Sequence, residues 1–222
     1  MISIGQFVNL DSTWHKCTPT LPEFSRWANR NLRFSGNSVE QHCEPERAAL
    51  VAEAAFRLAS LGGQPLELPR AEDAARKFVT ALPGGESARA PLSEQEGKEV
   101  LALCTGVQNF LGSGSPVDFL HQVPGCGVVR SGHIDIIRQS EIIEVKSVRR
   151  LFRSIDFRQA LAYAALVYSV GGSTKVLTIF NPRAGYYFSG SLSKIAFACA
   201  GKPAVSLLED LVEEMTSAEL SR

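Results

Sequence analysis

The chain has 222 residues, 45% of them hydrophobic, and balances 23 lysines and arginines against 23 acids. That length and apolar content can bury one good core with a helical appendage, and the zero net charge excludes a surface built for general polyanion binding. No apolar run approaches the roughly 18 residues of a membrane span, the start Met-Ile-Ser-Ile-Gly-Gln lacks the basic and apolar stretches of a secretory signal, and five scattered cysteines suit a reducing compartment; a cytoplasmic protein with no membrane contact is expected.

Residues 1–92 read as a mostly helical region. Residues 2–9 suggest a short strand, and 21–32, 45–61 and 70–82 suggest helices, broken at Gly62-Gly63 and at Pro83-Gly84-Gly85. Pro45 between two glutamates suits a helix opening, where the missing N–H costs nothing and acids meet the positive end of the dipole. His15, Cys17, His42 and Cys43 match no usual zinc spacing. The Gly-, Pro-, Ala- and Ser-rich residues 82–91 form the best linker to a second unit, 93–222. Gating a cleft, dimerising and binding a partner are all open roles for the first region.

The second unit opens with a helix over 93–111. Placing Val100, Leu103, Cys104, Val107 and Leu111 on its buried face puts Glu96 close to that face and Glu99 at its edge. Both acids also suit an ordinary solvated first turn favoured by the dipole.

Two β-branched runs follow, 133–137 and 141–147, separated by Arg138-Gln-Ser140. A hairpin closed by two residues or by four gives one register, in which Asp135 falls opposite Glu144 with Cβ atoms about 5 Å apart. Alternation puts Ile142, Glu144 and Lys146 on one face with His133, Asp135 and Ile137, and Ile134, Ile136, Ile143 and Val145 on a greasy other face. Two carboxylates so close repel unless a divalent cation lies between them, and an all-oxygen site suits Mg²⁺ or Mn²⁺. Lys146, one pleat along, is placed to hold a phosphate oxygen or to orient an attacking water. The same charges also suit a solvated hairpin with a cross-strand salt bridge.

From Ile155 to Ser169 the Ala- and Leu-rich chain predicts a helix with Ser154 as N-cap and Gly171-Gly172 after its end. Gln159 and Tyr163 project from one face of it. Residues 175–180 read as a strand returning to the same sheet, 186–188 as an edge strand, and 191–200 and 205–215 as closing helices, with Leu207, Leu208, Leu211 and Met215 facing a core. Between Lys146 and Arg158 stand five basic residues, Lys146, Arg149, Arg150, Arg153 and Arg158, against the single acid Asp156. This focused positive loop beside an acid pair suits the backbone of DNA, with RNA not excluded, and the same arginines also suit plain solvation or an acidic protein partner. Phe152 reads as a hydrophobic anchor for that loop, with stacking on a base as the other option.

Asp135, Glu144-Val-Lys146 and Gln159-x-x-x-Tyr163, following a helix and a Gly-containing first hairpin (Gly125-Cys-Gly127), resemble the PD-(D/E)xK, or restriction endonuclease-like, nuclease superfamily, in its branch with a QxxxY motif. The resemblance covers residues 93–190. It implies an α/β core in the order α-β-β-β-α-β, a central mixed sheet flanked by helices. It also implies a Mg²⁺- or Mn²⁺-dependent deoxyribonuclease with Asp135 and Glu144 as metal carboxylates, Lys146 as catalytic lysine and Gln159 and Tyr163 as support. A further carboxylate from the first core helix would be Glu96, with Glu99 second. Chains of this kind serve as nuclease components of bacterial genome maintenance or anti-phage defence, with a protein partner or an oligomer supplying specificity. The alternative expectation is a catalytically silent nucleic-acid-binding or assembly subunit.

Overall fold

The computed structural model describes residues 1–217. Three short helices, α1 (Ile4–Phe7), α2 (Asp11–Cys17) and α3 (Leu21–Arg30), lead into a two-residue strand, β1 (Arg33–Phe34). A helical hairpin follows, α4 (Ala48–Ser60) and α5 (Leu68–Thr80), each entered through a 3-10 turn opened by a proline, Pro45 and Pro65. The remainder runs α6 (Glu94–Leu111), β2 (Asp118–Val123), β3 (Gly132–Arg138), β4 (Glu141–Val145), α7 (Ser154–Ser169), β5 (Val176–Asn181), β6 (Tyr186–Ser191), α8 (Leu192–Ala200) and α9 (Ala204–Ser217).

The six strands form one mixed sheet in the order β1-β6-β5-β4-β3-β2. Only β4 and β5 are parallel, because only they are joined by a helical crossover, α7; the other neighbours are antiparallel. Helices cover both faces. Ile142, Leu177, Ile179 and Phe188 share one core with α1–α3, α7, α8 and α9, while Ile136, Ile143 and Phe180 share the other with α4, α5 and α6. The chain is thus an α/β protein with a mixed sheet between helical layers. The expected boundary at 92/93 separates no core of its own: both cores hold residues from either side of it. The aligned alanines of α7 let that helix bury itself almost all round against the sheet and α9.

Local differences from expectation have local causes. The start of the chain is helical, not extended: Ser3 and Gln6 close a capping box that makes a helix of residues 4–7. β6 is longer than expected and is not the edge, because β1, too short to show a period, lies outside it. Helix α7 starts one residue early, at Ser154, so Arg153 occupies the cap position and Ser154 Oγ instead meets Ser25 Oγ at 3.2 Å.

The β3/β4 hairpin has the expected register, with rungs 136/143, 137/142 and 138/141 and a two-residue turn, Gln139-Ser140, in which Gln139 takes φ +56°. The facing pattern departs from expectation. Ile134 packs in the α7-side core and Ile136 in the α4/α6-side core, so strict alternation breaks at Asp135. Asp135 is the single β3 residue with no ladder partner on either side, and Leu120, which would oppose it on β2, has φ +55°. The face bearing Glu144 is therefore not a polar surface: Ile142 beside it is 1% exposed, and polar groups gather only where the strands part.

Candidate active site

The parting of β3 from β4 explains how two acids come together. The rung after 136/143 would be 135/144; instead of pairing, Asp135 turns its Oδ2 to accept the Val145 N–H at 2.8 Å. Glu144, 1% exposed, points into the same space, within reach of sharing a proton with Asp135. Glu144 Oε1 accepts from Lys146 Nζ at 2.7 Å, and the lysine also donates to Gln159 Oε1 at 2.8 Å, a bond that ties the strand end to the first turns of α7. Glu144 Oε2 is buried with no partner among the described residues.

Charge and burial set the protonation of this cluster. Burial, then the charge of Asp135, pushes the Glu144 carboxyl up to about 8. Asp135 is raised as well, chiefly by burial and against the pull of Lys146 and the Val145 amide. Burial alone would lower Lys146, but the charges of Glu144 and Asp135 outweigh it and hold the ammonium on. Tyr163, one turn along α7 from Gln159, is 7% exposed; burial and then the charges of Glu144 and Asp135 raise its phenol, which stays protonated and can donate. Gly132 lies against it: a Cβ there would stand 3.4 Å from the ring edge and 3.7 Å from the hydroxyl of Tyr163, at ordinary van der Waals contact. Asp135, Glu144, Lys146, Gln159 and Tyr163 thus occupy one neighbourhood. His133, on the same strand as Asp135, is exposed.

Glu96 and Glu99 do not join this cluster. Glu96 receives Arg47 through Nε at 2.5 Å and Nη2 at 3.0 Å, and its Oε2 caps the Ser93 amide. Glu99, with a side chain 0% exposed, accepts from Arg183 at 2.6 Å and from the amides of His42 and Cys43. These acids fix the connection to the loop before α4, and no group of three His, Cys, Asp or Glu side chains forms a ready cation cluster among the described residues. The carboxylate that does approach is Glu53 of α4. It lines a cavity of about 180 Å³ together with Asp135, Val145 and Ser147, and its charge helps raise Asp135. Its own carboxyl is raised by burial and steadied by Arg57 at 2.7 Å. A sequence signal for Glu53 existed: it is the one acid between Ala48 and Leu61, in an otherwise Ala- and Leu-rich helix.

The basic loop divides in two. Arg150 is spent on a two-pronged pair with Asp156, at 2.6 and 2.9 Å, and Arg158 on Asp11 at 2.7 Å and the Val8 carbonyl. Arg149 and Arg153 are exposed with no side-chain partner among the described residues. The loop itself is held close: Phe152 is 3% exposed and meets Phe157 and Tyr186 edge-on, as an anchor does, while Asn29 pins its N–H and C=O and Asn181 holds the Val148 carbonyl.

No helix of the described residues is long and apolar enough to cross a membrane. Cys17 and Cys43 lie in different cores, so the four residues considered for zinc are not assembled around one centre. No protein-family model, no curated protein and no solved structure matches this chain.

Proposed function

We propose that this chain is a metal-dependent phosphodiesterase acting on DNA, built on a restriction endonuclease-like core. The observation that carries the reading is Glu144 Oε2. A carboxyl oxygen buried without a hydrogen-bond partner costs free energy, and such a cost is retained where a ligand meets it. Asp135, within hydrogen-bonding reach of Glu144, completes an all-oxygen pair, the donor set that Mg²⁺ and Mn²⁺ accept. A divalent ion held by Asp135 and Glu144 supplies Lewis acidity, for water as nucleophile and for the phosphoryl oxygen.

The chain's own residues supply the rest. Lys146, kept charged and aimed by Gln159, is positioned to meet the negative charge that builds on a phosphate in the transition state. Tyr163 keeps its proton and so acts as a donor, not a base. Arg149 and Arg153, without a side-chain partner among the described residues on a loop anchored by Phe152, offer contacts to a phosphate backbone that read no sequence. The order α6-β2-β3-β4-α7-β5, with a parallel β4/β5 pair, is the order that the resemblance implies and supports the same reading. A place in bacterial genome maintenance or anti-phage defence follows from the resemblance alone.

The test is hydrolysis of end-labelled single-stranded DNA, duplex DNA and RNA with Mg²⁺ or Mn²⁺, comparing wild type with Lys146→Ala. The expected result is chelator-sensitive cleavage of DNA that falls at least about 100-fold in the variant. Cleavage that ignores chelator and variant alike would refute the proposal, and metal binding without any cleavage would leave the silent subunit as the function.

A further inference from the structure

The outer edge of β6 is only partly covered. Leu192 donates to the Lys175 carbonyl at 2.8 Å, which makes 175/192 a hydrogen-bonded pair of the antiparallel β5/β6 ladder. By alternation 177/190 and 179/188 are hydrogen-bonded too, so the peptide groups of Tyr187 and Ser189 point away from β5. Tyr187 meets Arg33 of β1, but that short pairing reaches no further along β6. The N–H and C=O of Ser189 and the N–H of Ser191 therefore have no backbone partner among the described residues.

Beside this edge lies a groove of about 640 Å³, walled by Phe24, Trp27 and Ile195 over Phe188. Trp27 is 52% exposed. Phe24 and Phe188 are each 6% exposed and meet edge to face, centroids 5.6 Å apart at 89°, so neither presents an open ring. Two exposed cations line the rim, Arg33 and Lys194, without an ion pair among the described residues, whereas the one acid there, Glu23, is held by Arg26 at 2.8 Å. The groove is thus apolar inside and positive at its margin.

We propose that this face docks an extended acidic segment of a partner protein. The segment adds as a strand outside β6, sets an apolar side chain against Trp27, and turns acids toward Arg33 and Lys194. An edge that offers donors and an acceptor in alternation suits a peptide. A nucleic-acid strand would bring phosphate toward the Ser189 carbonyl and would find only one open ring for stacking. The surface lies two strands from β4 and does not depend on the chemistry proposed for Asp135 and Glu144.

The experiment is a titration of the full chain with the peptide acetyl-Glu-Val-Asp-Leu-Glu-Val-Asp-amide, followed by tryptophan fluorescence. Trp14 is 1% exposed, so a change reports on Trp27. The expected result is a saturable blue shift, weakened about tenfold or more by Ser189→Pro, which removes an outward N–H, and likewise by Arg33→Glu combined with Lys194→Glu. If Ser189→Pro fails to fold, the charge-reversed variant decides alone. No saturable shift, equal binding of a peptide N-methylated at alternate amides or carrying lysine in place of its acids, or binding of oligothymidylate instead, would each overturn the proposal.

Discussion

At the scale of single residues, Glu144 concentrates the cost of the site. Its folded-state value of about 8 stands well above the ordinary 4.5 that it recovers on unfolding. Between those limits the unfolded chain has lost a proton that the folded chain keeps, so stability falls as pH rises through that window and levels off above it. With no divalent ion present the slope is up to about 1.4 kcal/mol per pH unit. Thermal or urea unfolding from pH 5 to 9 should show this decline, and Glu144→Gln, which resembles the protonated acid, should flatten it while abolishing cleavage. A substitution that stabilises at high pH and silences the chain is the signature of a functional charge, not a structural one. Glu99 should behave in the opposite way. Its removal as Glu99→Gln leaves the 3% exposed Arg183 guanidinium short of a counter-charge, at a cost of about 3–5 kcal/mol in urea denaturation, with divalent-ion binding unchanged.

Among the elements, the β3/β4 hairpin shows how far sequence spacing reaches. The turn forces φ +56° on Gln139, a conformation that glycine takes without strain, so Gln139→Gly should raise stability by about 0.5–1 kcal/mol at unchanged cleavage rate, measured by chemical denaturation. The register of this hairpin was legible because closing the short gap with two residues or with four gives the same pairing. Helices α3 to α9 were legible, except the exact entry of α7, because each carries many apolar residues at helical spacing. The capping-box helix α1, the seven-residue α2 and the two-residue β1 are too short for a period. The break in alternation at Asp135 was illegible for another reason: it depends on a side-chain bond to Val145 and on the left-handed Leu120 of a different strand. Glu96 and Glu99 looked like site residues because their partners, Arg47 and Arg183, come from distant parts of the chain, and nothing in the spacing of α6 shows that those cations arrive. Glu53 reaches the cavity for the same kind of reason, through the fold of the α4/α5 hairpin.

At the scale of the whole molecule, the two cores tie everything together. Trp14, Leu21 and Phe24 from the first helices and Leu50, Ala54 and Leu58 from α4 are all buried against residues that follow position 93. A fragment of residues 93–222 would expose large parts of both cores, more than a domain of marginal stability can lose. It should lack near-ultraviolet dichroism and proton chemical-shift dispersion; a well-dispersed spectrum would show that the first 92 residues are an appendage. The same packing puts Glu53 across the cavity from Asp135, so the first region contributes a wall of the site and not only a cover for the sheet.

The central claim is that Asp135 and Glu144 form a seat for a divalent ion. Anomalous diffraction from crystals of the whole chain soaked in Mn²⁺ tests it most directly. The account predicts a manganese peak between the two carboxyl groups, absent in Asp135→Asn; no peak there, or one at an unrelated place that survives the substitution, would contradict it.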